Sequence, residues 1–319
     1  MRFAPSLLAF ASMFLAAASA IAADWRTVDP AQLKALQDDD IERHRSKEGS
    51  FDGLEISETR FSENGFDWHL LRFANAAKSD GPFWVVPHDD ENAAFDDMLA
   101  GLRKYGGLAI VVNTGPRTRW RQDGAGVCGV RTAASSACDP NRNFDARTPL
   151  FTNAILGEWK AGRPIIALHT NGDGFSGDGA GGRGDITMLD ARAFLSGERR
   201  ARQDGYFAIN PVPPLDDPDV YAIIPYHSAK GISRGEAACR AALNRKGINV
   251  WHERVGKSDG SLSNYVALNR PEIAYINFEA QRDADVSVGA EVQQIMFDAY
   301  LAECSALWNQ PVANPIMVR

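Results

Sequence analysis

The chain of 319 residues is 45% hydrophobic and 24% charged, an ordinary globular composition, and its formal charge of −7 argues against nucleic acid as a partner. Residues 1–22 read as an export signal: Arg2 gives a positive start, Leu7 to Ala18 an apolar core, and Ala20-Ile21-Ala22 a cleavage signature. No later run approaches the roughly 18 apolar residues of a membrane span, so the expectation is an exported protein, periplasmic or secreted, with one catalytic domain over residues 23–319.

In chain order, a short helix is expected over Gln32 to Gln37, then paired strands at Leu54 to Phe61 and Phe66 to Phe73. His69 sits in an apolar strand and reads as a packed core histidine. Phe83-Trp84-Val85-Val86 is a buried strand stopped by Pro87, followed by the ionisable turn His88-Asp89-Asp90-Glu91-Asn92. Ala93 to Tyr105 has helical spacing and stops at Gly106-Gly107 before the strand Leu108 to Val112, which makes a β-α-β unit. Residues 113–149 form a long irregular segment rich in arginine and glycine, a length more often functional than structural. Leu150 to Lys160 is a predicted helix and Arg163 to His169 a strand that again ends in histidine.

The glycine-rich stretch Asn171 to Asp185 lacks both a periodic repeat and a phosphate-loop lysine, so it reads as a lid or rim. A polar helix is expected over Met188 to Arg202, a turn region over Asn210 to Pro218, and a strand over Val220 to Tyr226 closed by His227. Glu236 to Lys246 is a helix, Ile248 to Val255 a strand, and Gly260 to Tyr265 a turn presenting Tyr265. Glu272 to Phe278 is a strand that ends in Glu279, and Val288 to Leu307 a long helix covering one face of the sheet. Four cysteines in an exported chain predict two disulfides rather than metal thiolates, with Cys128–Cys138 and Cys239–Cys304 the expected pairs. The pattern is α/β, with a mainly parallel or mixed central sheet flanked by helices.

His88, Glu91, His169 and Glu279 each fall at or just beyond a predicted strand end, where open α/β sheets place their sites. Each has a bland alternative, a solvated turn or a strand-end glutamate in water. Together they supply a metallohydrolase: two histidines and a glutamate hold one zinc per chain with an open position, and a second glutamate shuttles a proton. Arg142 beside Asn141 suits bidentate recognition of a substrate carboxylate, and a further arginine would face the oxyanion of a tetrahedral intermediate.

These residues resemble the zinc carboxypeptidase superfamily, including its succinylglutamate desuccinylase and aspartoacylase branch. His88-Asp89-Asp90-Glu91 is similar to its H-x-x-E pair and Asp139-Pro140-Asn141-Arg142-Asn143-Phe144 to its D-x-N-R-N-F segment. His169 is similar to its later zinc histidine, and Glu279 in Asn277-Phe278-Glu279-Ala280 to its catalytic glutamate. The resemblance implies a zinc-carboxypeptidase-like fold, Zn2+ on His88, Glu91 and His169, carboxylate binding by Asn141 and Arg142, and Glu279 as general base and acid. It leaves the oxyanion arginine open, with Arg119 and Arg121 favoured among Arg117, Arg119, Arg121 and Arg131, and it makes Tyr265 a candidate substrate contact. The implied activity is a carboxypeptidase acting on a peptide with a free carboxylate, with cell-wall stem peptides a substrate consistent with export. The alternatives are a deacylase of N-acyl amino acids and a catalytically silent carboxylate-binding protein.

Overall fold

The computed structural model describes residues 23–33, 40–113, 128, 138–171, 187–190, 192, 196–281 and 286–305. The expected export signal, most of the expected 32–37 helix, the glycine-rich stretch after Asn171, and Arg117, Arg119, Arg121 and Arg131 lie outside these residues.

Ten strands form one sheet: β1 (Arg26–Thr27), β2 (Leu54–Glu63), β3 (Phe66–Asn75), β4 (Phe83–Val86), β5 (Gly107–Val112), β6 (Ile165–Asn171), β7 (Gly205–Tyr206), β8 (Tyr221–His227), β9 (Val250–Val255) and β10 (Tyr275–Gln281). Their order is β1-β2-β3-β5-β4-β6-β10-β8-β9-β7. The sheet is mixed. β5, β4, β6 and β10 run parallel at its centre, β8 and β9 form a second parallel pair, and the remaining pairings are antiparallel.

Local chemistry explains much of this frame. The β2–β3 hairpin turns on Asn64 and Gly65, with φ of 53° and 78°, the left-handed pair that a two-residue hairpin loop favours. Every residue of β4, β5 and β6 is buried, as expected for parallel strands with both faces covered, which is why these segments read as continuous apolar runs. Helices α1 (Asp40–Arg45), α2 (Asn92–Tyr105), α3 (Pro149–Leu156), α4 (Arg234–Arg245), α5 (Leu262–Asn269) and α6 (Val286–Glu303) flank the sheet. One core layer joins Trp84, Val86, Ile166, Leu168, Ile276 and Phe278 to α2 and α6 through Phe95, Met98, Val292 and Phe297. The other joins Phe83, Val85, Ile165, Ala167 and Tyr275 to α3 and α5 through Phe151, Ile155, Leu262 and Val266. Both expected disulfides form, Cys128–Cys138 beside the site and Cys239–Cys304 between α4 and the end of α6.

Two expectations need correction. The Gly260 to Tyr265 stretch is not a turn: Ser261 caps α5, its Oγ accepting from the Asn264 amide at 3.3 Å, and Tyr265 lies within the helix. Its serine and asparagine content looks turn-like, but these residues serve as a cap while Leu262, Val266 and Ala267 bury, and that packing decides the conformation. The helix expected over Met188 to Arg202 does not reach those bounds: Arg192 is helical, but at the two ends Leu189 and Ala201 form an antiparallel bridge, and the Met188 amide donates to the Pro218 carbonyl at 2.8 Å. At the N-terminal side, a 3-10 turn over Pro30–Gln32 is followed later by α1, whose Ile41 joins the core.

Candidate metal centre

The site is assembled toward the carboxyl ends of β4, β6 and β10; β4 stops before His88, whereas β6 and β10 run two residues past the expected ends at His169 and Glu279 because their ladder continues through Thr170 with Ala280 and Asn171 with Gln281. Strand alternation places its side chains: Ile166 and Leu168 point into one core and Ile165 and Ala167 into the other, so His169 continues on the second face. On β10, Ile276 and Phe278 enter the first core, which leaves Glu279 on the same face as His169. The parallel register pairs Glu279 directly with His169. Pro87 ends β4, and the following turn delivers His88 and then Glu91, the residue that precedes α2.

His88, Glu91 and His169 converge, each offering a ligand atom within 4.8 Å of the others. His88 Nδ1 stands 2.9 Å from Glu91 Oε1 and 3.2 Å from His169 Nδ1, and His169 Nδ1 stands 3.5 Å from Glu91 Oε2. A tetrahedral zinc with bonds of about 2.0–2.1 Å sets its ligand atoms about 3.3–3.4 Å apart, so the spacing and the mixed nitrogen and oxygen donor set both fit that ion. The electrostatics of the cluster favour positive charge at this point. Burial opposes charge on His88, yet Glu91 and Asp139 outweigh it and lift its pKa to about 10. Burial also opposes charge on Glu91, and the two histidines override it and hold the carboxylate well below its ordinary range.

Asp139 is the site residue to which the sequence motif gave no role. Its Oδ1 stands 2.9 Å from His88 Nε2 and accepts from the Asn141 amide at 2.8 Å. A carboxylate on the far nitrogen of a metal-binding histidine fixes the ring so that the other nitrogen faces the ion. The signal was local: an Asp before Pro140 caps the 3-10 turn Pro140–Arg142. The Cys128–Cys138 disulfide ends immediately before this carboxylate, and the Cys128 amide donates to Asn143 Oδ1 at 2.9 Å.

Glu279 is buried, 7% exposed, and accepts from Asn277 Nδ2 at 2.8 Å. Burial is the main cause that raises its pKa to about 7; Glu91 adds to the rise, while His169, Asn277 and His88 oppose it. Asn141 commits its side-chain oxygen to the Leu262 amide at the start of α5, at 3.1 Å, so its NH2 is the half that can donate to a ligand. Arg142 lies between two carboxylates, with Nη1 3.7 Å from Asp139 Oδ2 and Nε 3.4 Å from Asp259 Oδ2. Gly260, at φ +89°, lets its loop pass against this segment, since a Cβ there would lie 2.5 Å from the Arg142 carbonyl oxygen. Tyr265 lines a cavity of about 400 Å3 with Phe144, Pro149, Ser258 and Leu268, and the ligand triad is not part of that lining.

The remaining histidines have other partners. His69 is a core residue, 3% exposed, with Nε2 2.8 Å from Glu58 and Nδ1 3.1 Å from Asn113 Nδ2. His227 accepts from the Ala229 amide at 3.0 Å, a local strand-end contact.

A mixed sheet that gathers two imidazoles and a carboxylate into one donor set, with a buried glutamate alongside, defines the class: an α/β protein with a candidate metal site. No protein-family model and no curated protein matches the chain. Among solved structures, it is similar to a Shewanella denitrificans OS217 protein provisionally described as a metallopeptidase, at 14% identity and a TM-score of 0.41, covering 83% of this chain and 89% of that one. A provisionally described carboxypeptidase A from the same organism gives 12% identity, a TM-score of 0.41, and coverage of 81% and 65%. The product-bound cell shape determinant Csd4 of Helicobacter pylori gives 13% identity and a TM-score of 0.38, with 79% of this chain spanning 57% of Csd4.

Proposed function

We propose that the chain is a zinc-dependent carboxypeptidase that hydrolyses the amide bond before the C-terminal residue of a peptide. The observation that carries this reading is the convergence of His88, Glu91 and His169 at zinc-ligand spacing, with Glu279 in register beside His169. Bound there, zinc would polarise the scissile carbonyl and lower the pKa of its water. Asp139 orients the His88 ring through Nε2. Glu279 accepts the proton of the attacking water and returns it to the leaving nitrogen, a double task suited to a carboxyl held at about 7. Asn141 and Arg142 bind and orient the substrate carboxylate, and the role of stabilising the developing oxyanion falls to Arg119 or Arg121, which lie outside the described residues. Tyr265 contacts the part of the substrate that reaches its cavity. Two disulfides fit an oxidising compartment, and among the described residues no helix is long and apolar enough to cross a membrane. An exported enzyme of this kind would meet cell-wall stem peptides, which head the substrate panel.

Metal content by mass spectrometry tests the reading, with wild type beside His88→Ala and His169→Ala. The expected result is about one zinc per wild-type chain and loss in both variants, with Glu279→Gln keeping zinc but not turnover. Wild type that stays metal-free after zinc reconstitution would sink it. Turnover of N-acyl amino acids but not peptides would assign the deacylase instead, and ligand binding without turnover the silent binding protein.

A further inference from the structure

Two adjacent glutamines on α6 reach in opposite senses toward the elements that carry the site. Gln293 is fully buried, 0% exposed, on a helix whose Val292, Met296 and Phe297 pack into the first core. Its Nε2 donates to the main-chain carbonyl of His169 on β6 and, at 3.4 Å, to that of Phe278 on β10. These strands are parallel neighbours, and the two carbonyls flank the register pair His169 and Glu279. Gln294 turns instead to α2, donating to Asp97 Oδ1 at 3.0 Å.

The amide orientation is set by its partners. Both are carbonyl oxygens, which can only accept, so the NH2 end must face them. The side chains of His169 and Glu279 point to the opposite face of the sheet from α6. Gln293 therefore touches neither functional side chain, but bridges the two backbones from beneath at the point where both project.

We propose that Gln293 is a positioning residue that fixes the spacing of β6 and β10 at the metal site, holding His169 and Glu279 in one geometry. The inference rests on the proposed metal site. The β6–β10 ladder runs two pairs past this point, Thr170 with Ala280 and Asn171 with Gln281, so Gln293 adds to a paired register a tie from α6 that spans both strands at the functional pair. A ligand on a strand that can shift binds its ion more weakly, and partners outside the ligand set typically change metal affinity 10- to 100-fold.

The test is zinc affinity of the metal-free protein by competition with a chromophoric chelator, read together with thermal stability. Wild type is compared with Gln293→Met, which fills the space without a donor, Gln293→Glu, which keeps the shape but sets a carboxyl against two carbonyls, and Gln294→Met. The last removes a half-buried hydrogen bond from the same helix without touching β6 or β10. The expected result is zinc affinity 10- to 100-fold weaker in the folded Gln293 variants and within about twofold of wild type in Gln294→Met. Wild-type affinity in either folded Gln293 variant would overturn the proposal, as would an equal loss in Gln294→Met, which would mark a general effect of helix packing. Wild type that binds no zinc removes the metal site itself and the inference with it, a result visible before any variant is compared.

Discussion

Removing the Asp139 carboxylate separates a metal site from a chance meeting of polar side chains. In Asp139→Ala, His88 Nε2 loses a partner at 2.9 Å and the Asn141 amide one at 2.8 Å. If His88 binds zinc through Nδ1, losing the group that orients the ring weakens zinc binding about 10- to 100-fold, or about 1.4–2.7 kcal/mol. Stability falls as well, by about 1–3 kcal/mol for each buried donor left without an acceptor. Asp139→Asn keeps an oxygen acceptor but not the charge, so its loss of affinity is smaller. Chelator competition gives the affinities, and thermal denaturation of the metal-free proteins shows that the variants are folded. Folded Asp139→Ala that binds zinc within twofold of wild type would refute the argument that this carboxylate sets the ring.

Three further outcomes follow from the packing. Asp97 is fully buried on α2 and burial raises its pKa well above the ordinary range, so the folded state holds this proton more tightly than the unfolded chain. Its contribution is fully present below the unfolded pKa of about 3.9 and is lost as pH rises toward the folded pKa, with a slope of at most about 1.4 kcal/mol per pH unit; Asp97→Asn removes that loss, and thermal melts across pH should show its advantage over wild type growing as pH rises. Replacing Cys239 and Cys304 by serine opens a 65-residue separation and should cost about 4 kcal/mol in the chain-entropy account, measured by urea denaturation of the double variant. Gly260→Ala forces a Cβ against the Arg142 carbonyl at a left-handed φ of +89°, and should lower stability by about 1–3 kcal/mol and raise KM more than it lowers kcat, since Arg142 is displaced.

Much of the frame was legible because its causes are local. Continuous apolar runs marked β4, β5 and β6, Asn64-Gly65 turns the β2–β3 hairpin, and Gly106 with φ +78° stops α2. Where serine and asparagine could cap or turn with equal ease, as before α5, local composition misled and burial of Leu262 and Val266 decided. The antiparallel contact of β8 with β10 had no signal in either segment, because periodicity records that a strand is buried and not which neighbour buries it.

The sequence by itself determined the donor types and their place toward the carboxyl ends of buried strands, since an apolar run marks such a strand wherever the chain goes next, but β6 and β10 continue two residues past His169 and Glu279. It also marked the four cysteines as disulfide-forming and His69 as a core residue, while the pairing of the cysteines was decided by the fold. Only the tertiary structure decided that His88 and His169 meet at 3.2 Å, that Asp139 braces the first from behind, and that Gln293 spans the carbonyls beneath His169 and Glu279. Those contacts depend on β4, β6 and β10 lying side by side, an order fixed by long-range pairing and by helices packing on both faces, to which no short stretch of sequence is privy.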